Sequence, residues 1–378
     1  MSEARRVLQV LPAMGAGGVP RGTIEVAAAQ VAAGWRALVA SAGGPGVAAL
    51  EAVGAEHIAL PLESKNPFAI AANGRRLEAL IRQSGIDLIH ARSRAPAWSA
   101  LLAARGADIP FVTTFHGTYG HANAVKRRYN SVMTEGDRVI AISEHISRHM
   151  QAVYGTPAER IRVIPRGVDL AEFDAAKVAP ERIAALRRDW GADEAPVVLL
   201  PGRLTAWKGQ SVLVEAARLA QTPMRIVLAG DAQGRERYVA RLRAQISEAG
   251  LDDAVIMPGN VADMAAACRA ADVVVSASTD PEAFGRVAIE GQAMGRPVIA
   301  SAHGGSQESV VDGETGWLVP PGDATALAAA LDHCLSLSRD ARTAMGDAGI
   351  ARVREHFTKD TMCAATLAVY SELLENNR

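Results

Sequence analysis

The sequence predicts an α/β protein of two domains, each built on a parallel β-sheet with helices on both faces. Short apolar runs alternate with stretches of helical period from one end of the chain to the other, which is the pattern of repeated strand–helix–strand units. A chain of 378 residues is also too long for one ordinary hydrophobic core and suits two domains of moderate size.

Composition excludes several classes of protein. Hydrophobic residues make up 49% of the chain and charged residues 21%, as in a folded globular protein. The 40 basic and 41 acidic side chains leave a net charge of −1, so no global charge attracts nucleic acid or anionic lipid. The three cysteines lack CxxC spacing, which argues against disulfides or a zinc site and favours a reducing cytoplasm. We expect neither secretion nor a membrane span, because no signal-type segment and no run of 18 apolar residues occurs.

Apolar runs predict the strands of both domains. Those of the first half lie near Val7–Leu11, Ala37–Ser41, Ile58–Leu60, Leu88–Ala91, Phe111–Phe115, Val139–Ile142 and Ile161–Ile164. Those of the second half lie near Val197–Leu200, Arg225–Ala229, Val255–Met257, Val273–Ser276, Val298–Ala300 and Trp317–Val319. Predicted helices fill the gaps, for example Thr23–Ala33 and Phe68–Ser84.

Turn signals and charges between Pro165 and Ala195 place the interdomain linker there, with one helical stretch near 181–190. The predicted domains are residues 1–172, joined by the C-terminal helix 359–378, and residues 173–358. From Ala324 the chain is predicted to be helical to its end. Its final helix would cross back to the first domain and bury its apolar positions between the domains.

Two glutamates carry the strongest functional signal. Seven residues separate Glu282 from Glu290 in the stretch STDPEAFGRVAIEGQ. A helix predicted to start at Gly285 would offer free amides and the positive end of its dipole to a phosphate group. Eight residues at helical rise span about 12 Å, close to the reach from the hexose to the ribose of a nucleotide sugar. An isolated pair would more often be solvated charges, but this pair follows a buried strand, where open sheets bind ligands.

Two cations follow the first strand of the second domain. Arg203 and Lys208 stand five positions apart in PGRLTAWKGQ, and two neighbouring cations favour an anion. A diphosphate leaving group gathers charge as its bond to a sugar breaks, and preorganised cations stabilise that charge. The alternative is a solvated turn. Because no metal-ligand motif occurs in the chain, no cofactor or metal is expected.

The first half has weaker signals at its strand ends. The loop LPAMGAGGVPRGT carries Gly17 and Gly18 but fails the dinucleotide fingerprint, because Pro20 replaces its third glycine. His116 ends a strand in TTFHGTYG, where it would donate to a sugar or phosphate unless its role is structural. The cations Arg92 and Arg94, and the cluster Lys126–Tyr129, would bind an anionic acceptor or a membrane surface, or lie on solvated faces.

The motifs taken together resemble a known family. E-x7-E, with PGRLTAWKG before it and HGGSQESVVDGETGWLVPPGD after it, resembles the family-4 retaining glycosyltransferases of the GT-B fold. The likeness covers essentially the whole chain and is more specific in the second half. The segments GGVPRGTIEVA and ARSRAPAW look like bacterial transferases of lipopolysaccharide or other envelope polysaccharide assembly.

The resemblance implies two Rossmann-like domains that face each other across a donor-binding cleft. By the same resemblance, Glu282 and His116 would orient the donor hexose, Glu290 would bind the ribose diol, and the amides of Phe284 and Gly285 would bind phosphate or sugar. Arg203 and Lys208 would absorb the charge of the leaving group. The remaining implied substrate contacts are Gly17, Gly18, Arg94, Gly230, Asn260, Val261, Arg286 and Val287.

The implied activity is transfer of a hexose from a nucleotide diphosphate sugar to a hydroxyl of a lipid-linked or oligosaccharide acceptor, without nucleic acid. The enzyme would be cytoplasmic, with peripheral contact at the inner membrane face. One alternative is a sugar-nucleotide epimerase of the same fold, which would convert the donor alone. Another is a non-catalytic nucleotide-sugar-binding protein, against which Glu282, Arg203 and Lys208 argue. A nicotinamide oxidoreductase is disfavoured by the failed fingerprint.

Overall fold

The structure is a computed structural model that describes residues 4–15, 17–120, 123–192 and 194–376. The chain divides into two compact units, one of Met1–Pro165 with Lys359–Arg378 and the other of Arg166–Thr358. Residues 377 and 378 of the predicted C-terminal helix lie outside the described residues. The prediction of two α/β domains with parallel sheets is confirmed.

The described residues of the first unit form a seven-stranded sheet of order β3-β2-β1-β4-β5-β6-β7, and every neighbouring pair is parallel. The strands are β1 (Arg6–Val10), β2 (Arg36–Ser41), β3 (Glu56–Ala59), β4 (Leu88–Ala91), β5 (Phe111–Phe115), β6 (Arg138–Ala141) and β7 (Ile161–Val163). The helices are α1 (Gly18–Ala32), α2 (Val47–Ala52), α3 (Pro67–Ser84), α4 (Arg94–Ala107), α5 (Ala124–Asn130) and α6 (Glu144–Tyr154). Short 3-10 turns cover Ser131–Thr134 and Ala158–Arg160.

The second unit repeats this plan with six strands among its described residues, in the order β10-β9-β8-β11-β12-β13, again all parallel. Its strands are β8 (Val197–Pro201), β9 (Arg225–Ala229), β10 (Val255–Gly259), β11 (Val273–Ser276), β12 (Val298–Ser301) and β13 (Gly316–Val319). Its helices are α7 (Pro180–Asp189), α8 (Gln210–Leu219), α9 (Glu236–Glu248), α10 (Met264–Ala270), α11 (Arg286–Ala293), α12 (Ser306–Ser309), α13 (Ala324–Ser336) and α14 (Arg339–His356). Short 3-10 turns cover Ala175–Lys177 and Ala206–Lys208.

Local chemistry sets where helices begin and end. Helix α3 starts with Pro67 behind Asn66, whose side chain accepts a hydrogen bond from the amide of Phe68, and it stops at Gly85 in the left-handed region. Helix α1 begins at Gly18, five residues before the predicted Thr23. Pro20 is tolerated there because the first turn of a helix has no internal acceptor for its amides.

The C-terminal stretch, predicted to be helical to its end, consists of three helices joined by short connections among its described residues. The Ser338 side chain caps the start of α14 by accepting a hydrogen bond from the amide of Ala341. Helix α14 ends before Phe357. A final helix, α15 (Lys359–Asn376), belongs to the first unit. Among the described residues, no helix is both long and apolar enough to cross a membrane.

Helix α15 returns to the first unit, as predicted, but its apolar positions are buried within that unit and not between the domains. They pack in one cluster with strands β1, β4, β5 and β6 and with helix α1. The α15 members of this cluster are Met362, Cys363, Val369, Tyr370 and Leu373. The helix is therefore part of the core of the first unit.

An ion-pair network also holds α15 in place. The Glu372 carboxylate accepts hydrogen bonds from Arg138 of β6, at 2.5 Å, and from Arg162 of β7, at 2.7 Å. These contacts, the Arg138 hydrogen bond above all, lower the pKa of the Glu372 carboxyl.

We expect Glu372→Gln to lower the free energy of unfolding by about 1 kcal/mol at neutral pH. The pKa of the Glu372 carboxyl is lower in the folded protein than its value of about 4.3 in the unfolded chain, so the ionised carboxylate stabilises the fold above that pH. This stabilisation is lost as the pH falls through the pKa of the folded protein. The difference from the unmutated protein in urea unfolding should therefore be largest at about pH 7 and become smaller as the pH falls below about 4. Glu375→Gln is the matched control, because Glu375 is 69% exposed and pairs with Arg5 at 3.3 Å. Equal losses for both variants would contradict the role of Glu372.

Candidate active site

The candidate site lies where the strand order of the second sheet reverses. From β8 the chain proceeds outward to β9 and β10, then returns to place β11 on the other side of β8. The loops after β8 and β11 therefore diverge at the carboxyl edge of the sheet and leave a crevice, which is where open α/β sheets bind ligands. Arg203 and Lys208 follow β8, and Glu282 and Glu290 follow β11.

These two loops touch backbone to backbone. Gly209 has φ +75° and lies so close to Ala277 that a Cβ at position 209 would overlap the carbonyl oxygen of Ala277. The amide of Thr279 donates a hydrogen bond of 2.8 Å to the carbonyl of Trp207. Only glycine fits this approach, which fixes Lys208 beside the loop of Glu282.

Lys208 and Glu282 form an ion pair at the centre of the crevice. The Lys208 Nζ lies 2.5 Å from the Glu282 Oε1, and the two side chains are 15% and 11% exposed. The Ser278 hydroxyl donates to the same oxygen at 2.7 Å. The Lys208 ammonium also lies over the Trp207 ring, 4.5 Å from its centroid. The two predicted residues are thus brought together, although 74 positions separate them.

A third loop, which follows β12, contacts the backbone of Glu282. The Gly305 amide donates to the Glu282 carbonyl at 2.8 Å, and a Cβ at Gly304 would overlap that same carbonyl. The His303 Nε2 lies 2.9 Å from the carbonyl oxygen of Ser278. The loops after β8, β11 and β12 therefore form one packed assembly around the ion pair.

The second glutamate is on a helix, whereas the first is not. Helix α11 begins at Arg286 after Gly285, at φ +83°, so Glu282 lies in the preceding loop. The predicted helical distance between the two glutamates does not apply for that reason. Glu290 pairs with Arg286 at 2.9 Å. The Phe284 side chain is 3% exposed and packs edge-on against Phe357, so only its backbone is offered to a ligand.

The other predicted contacts of the second unit lie at the same edge of the sheet. The Arg203 side chain is exposed, and no hydrogen bond or ion pair joins it to another described residue. Gly230 follows β9, and a Cβ there would overlap the carbonyl of Gly202. Asn260 is exposed and Val261 half-buried in the loop after β10, and Val287 is half-buried on α11.

The first unit has a reversal of its own between β1 and β4. The glycine loop follows β1, and Gly17 caps α1 at φ 131°, a conformation that favours glycine. A Cβ at Gly17 or Gly18 would meet nothing within 4 Å. Both glycines therefore leave open space at the carboxyl edge of this sheet.

Arg94 and His116 lie near each other in the first unit. Arg94 donates to the Asn130 Oδ1 at 3.0 Å and lies over the Tyr119 ring at 4.3 Å. The backbone amide of His116 donates to the Tyr119 hydroxyl at 3.4 Å. Burial raises the pKa of Tyr119, which Arg94 partly opposes. Tyr119 thus connects the two predicted residues.

Arg92 is not available to an acceptor. Its side chain is 2% exposed and interacts with Tyr370 of α15, and burial lowers the pKa of its guanidinium. The neighbouring His90 lies 2.6 Å from the Tyr370 hydroxyl and 2.7 Å from the Thr114 hydroxyl, and burial lowers its pKa well below the usual value. The sequence alone could not separate Arg92 from Arg94, because a distant helix covers the first and not the second.

Sequence reasoning missed three contributors to the site: Trp207, Ser278 and His303. Ser278 and His303 each stand two residues beyond a strand end, and that position was the signal that could have found them. Among the described residues, no group of three or more His, Cys, Asp or Glu side chains is arranged to hold a metal ion.

Comparison with known proteins identifies the class. Residues 16–172 match the family model described as Glycosyltransferase Family 4, and residues 183–352 match that described as Glycosyl transferases group 1. The D-inositol 3-phosphate glycosyltransferase of Xylanimonas cellulosilytica is 33% identical over 321 residues, which cover 80% of this chain and 76% of the relative.

Solved structures give the same result. A glycosyltransferase from Rickettsia africae is 37% identical with a TM-score of 0.92, over 99% of this chain and 100% of that one. Anabaena HepE in complex with UDP and glucose is 26% identical with a TM-score of 0.86, over 98% and 100% of the two chains. The fold and these matches define a glycosyltransferase of the GT-B type. The chain belongs to glycosyltransferase family 4.

We expect Gly209→Ala to separate the loops after β8 and β11. The new Cβ combines a left-handed conformation with overlap of the Ala277 carbonyl, for a loss of about 3 kcal/mol in stability. Gly250→Ala is the matched control, because Gly250 has φ +67° with nothing within 4 Å of its Cβ, and it should lose about 1 kcal/mol. Urea unfolding followed by circular dichroism measures both. Equal losses would show that the backbone contact at Gly209 is unimportant.

Proposed function

We propose that this chain is a retaining hexosyltransferase that moves a hexose from a nucleoside diphosphate sugar to an acceptor hydroxyl. The observation that carries the proposal is the Lys208–Glu282 pair in the crevice of the second sheet, at 2.5 Å. The likeness to Anabaena HepE, solved in complex with UDP and glucose, supports a nucleotide-sugar donor.

The diphosphate of the donor is assigned to the two cations after β8. The Lys208 ammonium has three N–H donors, and Glu282 occupies one of them. Its other donors and the exposed Arg203 guanidinium are available to phosphate oxygens. Charge grows on the diphosphate as the glycosidic bond breaks, so both cations bind the transition state more strongly than the ground state. No metal is required in this proposal, because the two cations supply the positive charge.

The hexose is assigned to Glu282. Its Oε1 accepts hydrogen bonds from Lys208 and Ser278, whereas its Oε2 accepts none from a described residue. A carboxylate with one oxygen held and the other open is ready to accept from a sugar hydroxyl. The contacts at Ser278 and Gly305 fix its orientation, which is what positioning of a substrate requires.

The rest of the nucleotide is assigned to the neighbouring elements. Glu290, held by Arg286 at 2.9 Å, is proposed to bind the ribose diol. The amides of Phe284 and Gly285, before the uncapped start of α11, are proposed to bind phosphate or sugar. The base is assigned to the backbone of Asn260 and Val261. We also include Gly230 and Val287 in the lining of the donor site.

Retention follows in this proposal if the acceptor hydroxyl attacks from the face that the diphosphate leaves. The bond between the anomeric carbon and the phosphate oxygen breaks, and the acceptor oxygen forms the new bond. The departing phosphate takes the proton of the acceptor. This arrangement needs no covalent sugar–enzyme intermediate.

We expect Glu282→Gln, Lys208→Ala and Arg203→Ala each to reduce turnover by about 100-fold or more, because a lost charge-stabilising contact costs that much. A screen of UDP-, GDP- and ADP-sugars by thermal shift and product analysis identifies the donor for these assays. The matched controls are the exposed Glu314→Gln and Lys177→Ala, which should keep full activity and folding.

Three outcomes of these assays would contradict the proposal. Full activity of the three site variants would remove their roles. Formation of a new sugar nucleotide from donor alone would indicate an epimerase. Donor binding without transfer to any acceptor would indicate a binding protein.

The acceptor is assigned to the first unit, where Gly17, Gly18 and Arg94 lie at or near strand ends. His116 of the same unit is proposed to orient the donor hexose together with Glu282. We propose a lipid-linked or oligosaccharide acceptor of envelope polysaccharide or lipopolysaccharide assembly, used at the cytoplasmic face of the inner membrane. Support comes from α5, where Lys126, Arg127 and Arg128 are exposed beside Val125, which is 79% exposed. Such a surface suits anionic lipid.

A second candidate acceptor is D-inositol 3-phosphate. It is favoured by the name of the Xylanimonas cellulosilytica relative, a D-inositol 3-phosphate glycosyltransferase. This acceptor is a soluble phosphate ester, so the reaction would need no membrane surface.

Transfer to a lipid-linked oligosaccharide in anionic vesicles should depend on α5. We expect the double variant Lys126→Ala with Arg127→Ala to raise the apparent KM for that acceptor about 30-fold at low salt, because each basic residue near a lipid surface contributes about 1 kcal/mol. Arg148→Ala with Arg160→Ala, an exposed pair in the same unit, is the control and should change nothing. Transfer to D-inositol 3-phosphate alone, with no product in vesicles, would reject the lipid-linked acceptor.

A further inference from the structure

A cavity lies beside the loop that carries Lys208. It has a volume of about 650 Å³ and lies between the segment 205–207 and the start of α9. Its lining consists of Thr205, Ala206, Trp207, Gly234, Arg235, Glu236, Arg237, Tyr238 and Arg241. Trp207 also contacts Lys208 of the candidate site, and the other lining residues have no assigned role there. The size suits a small ligand.

The cavity is positively charged. Three arginines face one glutamate in its lining. No hydrogen bond or ion pair joins the guanidinium group of Arg237 or Arg241 to another described residue, and the Arg235 guanidinium donates only to carbonyls, those of Ala232 and Gln233 at 3.3 and 3.4 Å. Guanidinium groups that lack an acidic partner favour phosphate oxygens.

The start of α9 adds backbone donors to the same wall. The helix runs from Glu236 to Glu248 and has no side-chain cap at its first residue. A helix start of this kind favours anions through its amides and its dipole. Gly234, at φ +79°, has nothing within 4 Å of the position of a Cβ, so a ligand can approach the backbone closely.

A buried hydroxyl without a partner gives independent evidence of a ligand. Thr205 lines the cavity and is 5% exposed, yet its Oγ1 makes no hydrogen bond with any described residue. A buried polar group left in this state costs free energy unless something else satisfies it. Two other polar side chains nearby have hydrogen-bond partners. The Tyr238 hydroxyl donates to the Gln210 side chain at 3.0 Å, and Gln210 donates to the Arg203 carbonyl at 3.0 Å.

We propose that this cavity binds a phosphate group, held by Arg237, Arg241 and the first amides of α9, with Thr205 donating its hydroxyl to a phosphate oxygen. The site is distinct from the donor site, although Trp207 lines the cavity and carries the Lys208 ammonium on its ring. The phosphate comes either from free inorganic phosphate or from a phosphate ester, whose organic part the remaining volume accommodates.

Calorimetric titration tests the site with two probes, inorganic phosphate and a hexose 6-phosphate, each in the absence and presence of saturating UDP. The full chain and Arg243→Ala, an exposed arginine of α9 outside the cavity, should bind one phosphate at low ionic strength. Arg237→Ala with Arg241→Ala should weaken binding about ten-fold or more. Thr205→Val should weaken it several-fold with unchanged or higher Tm, because a buried unsatisfied hydroxyl is removed. Tighter binding of the ester identifies an ester as the source, and equal or weaker binding identifies free phosphate.

Three results would overturn the proposal. The first is that the unmutated chain binds no phosphate, and the second is that all variants bind it with equal affinity. The third is that UDP displaces the phosphate completely while the arginine variants bind it as well as the unmutated chain does. The last would place the anion in the donor site. Arg237 and Arg241 are exposed, so we expect their double variant to fold. If Thr205→Val does not fold, the double variant alone still tests the proposal. Failure of the proposed transferase function would look different, since phosphate would still bind while no nucleotide sugar did.

Discussion

The close contact between strand-end loops in the second unit is the constraint on which the candidate site depends. Parallel strands end at one edge of a sheet, but their loops meet only where side chains do not separate them. Glycines provide this at Gly209 against Ala277, at Gly230 against Gly202 and at Gly304 against Glu282. These contacts bring Lys208 and Glu282 within 2.5 Å of each other. Without these contacts, the loops that carry the two charges would be farther apart.

The pair that results is only slightly exposed, with side chains at 15% and 11%. Charges removed from water are costly unless they are paired and hydrogen-bonded, and here the Ser278 hydroxyl and the Trp207 ring complete the pairing. Before a donor binds, each charge therefore compensates the other. A diphospho-sugar would bring an anion to Lys208 and hydroxyls to Glu282, so the same pair is suited to both parts of that ligand.

Much of the fold could be predicted from the sequence, because alternating apolar runs and helical periods are local signals. The buried strands β4, β5, β9 and β11 were predicted with their observed bounds. The edges of α1 were not, since Pro20 in a first turn is read as a helix breaker. The prediction of where the apolar face of α15 packs was wrong, because no local sequence signal indicates whether a terminal helix packs within one domain or between two.

The site could be predicted in part for the same reason. Residues in the loops that follow buried strands, such as Arg203 and Glu282, are marked by their position in the chain. The direct contact of Lys208 with Glu282 is not, because it depends on how two loops 74 residues apart pack. Arg92 shows the opposite failure: its strand-end position suggested a ligand contact, whereas the Tyr370 side chain of a distant helix covers it. No signal in the sequence marks Thr205, because its relevance depends on the burial of a hydroxyl that has no hydrogen-bond partner among the described residues.

A crystal structure of the protein with a bound UDP-hexose would test the central claim most directly. The account predicts the diphosphate within hydrogen-bond distance of the Lys208 Nζ and the Arg203 guanidinium, with a hexose hydroxyl on the Glu282 Oε2. A nucleotide sugar bound elsewhere, with the Lys208–Glu282 pair untouched, would contradict it.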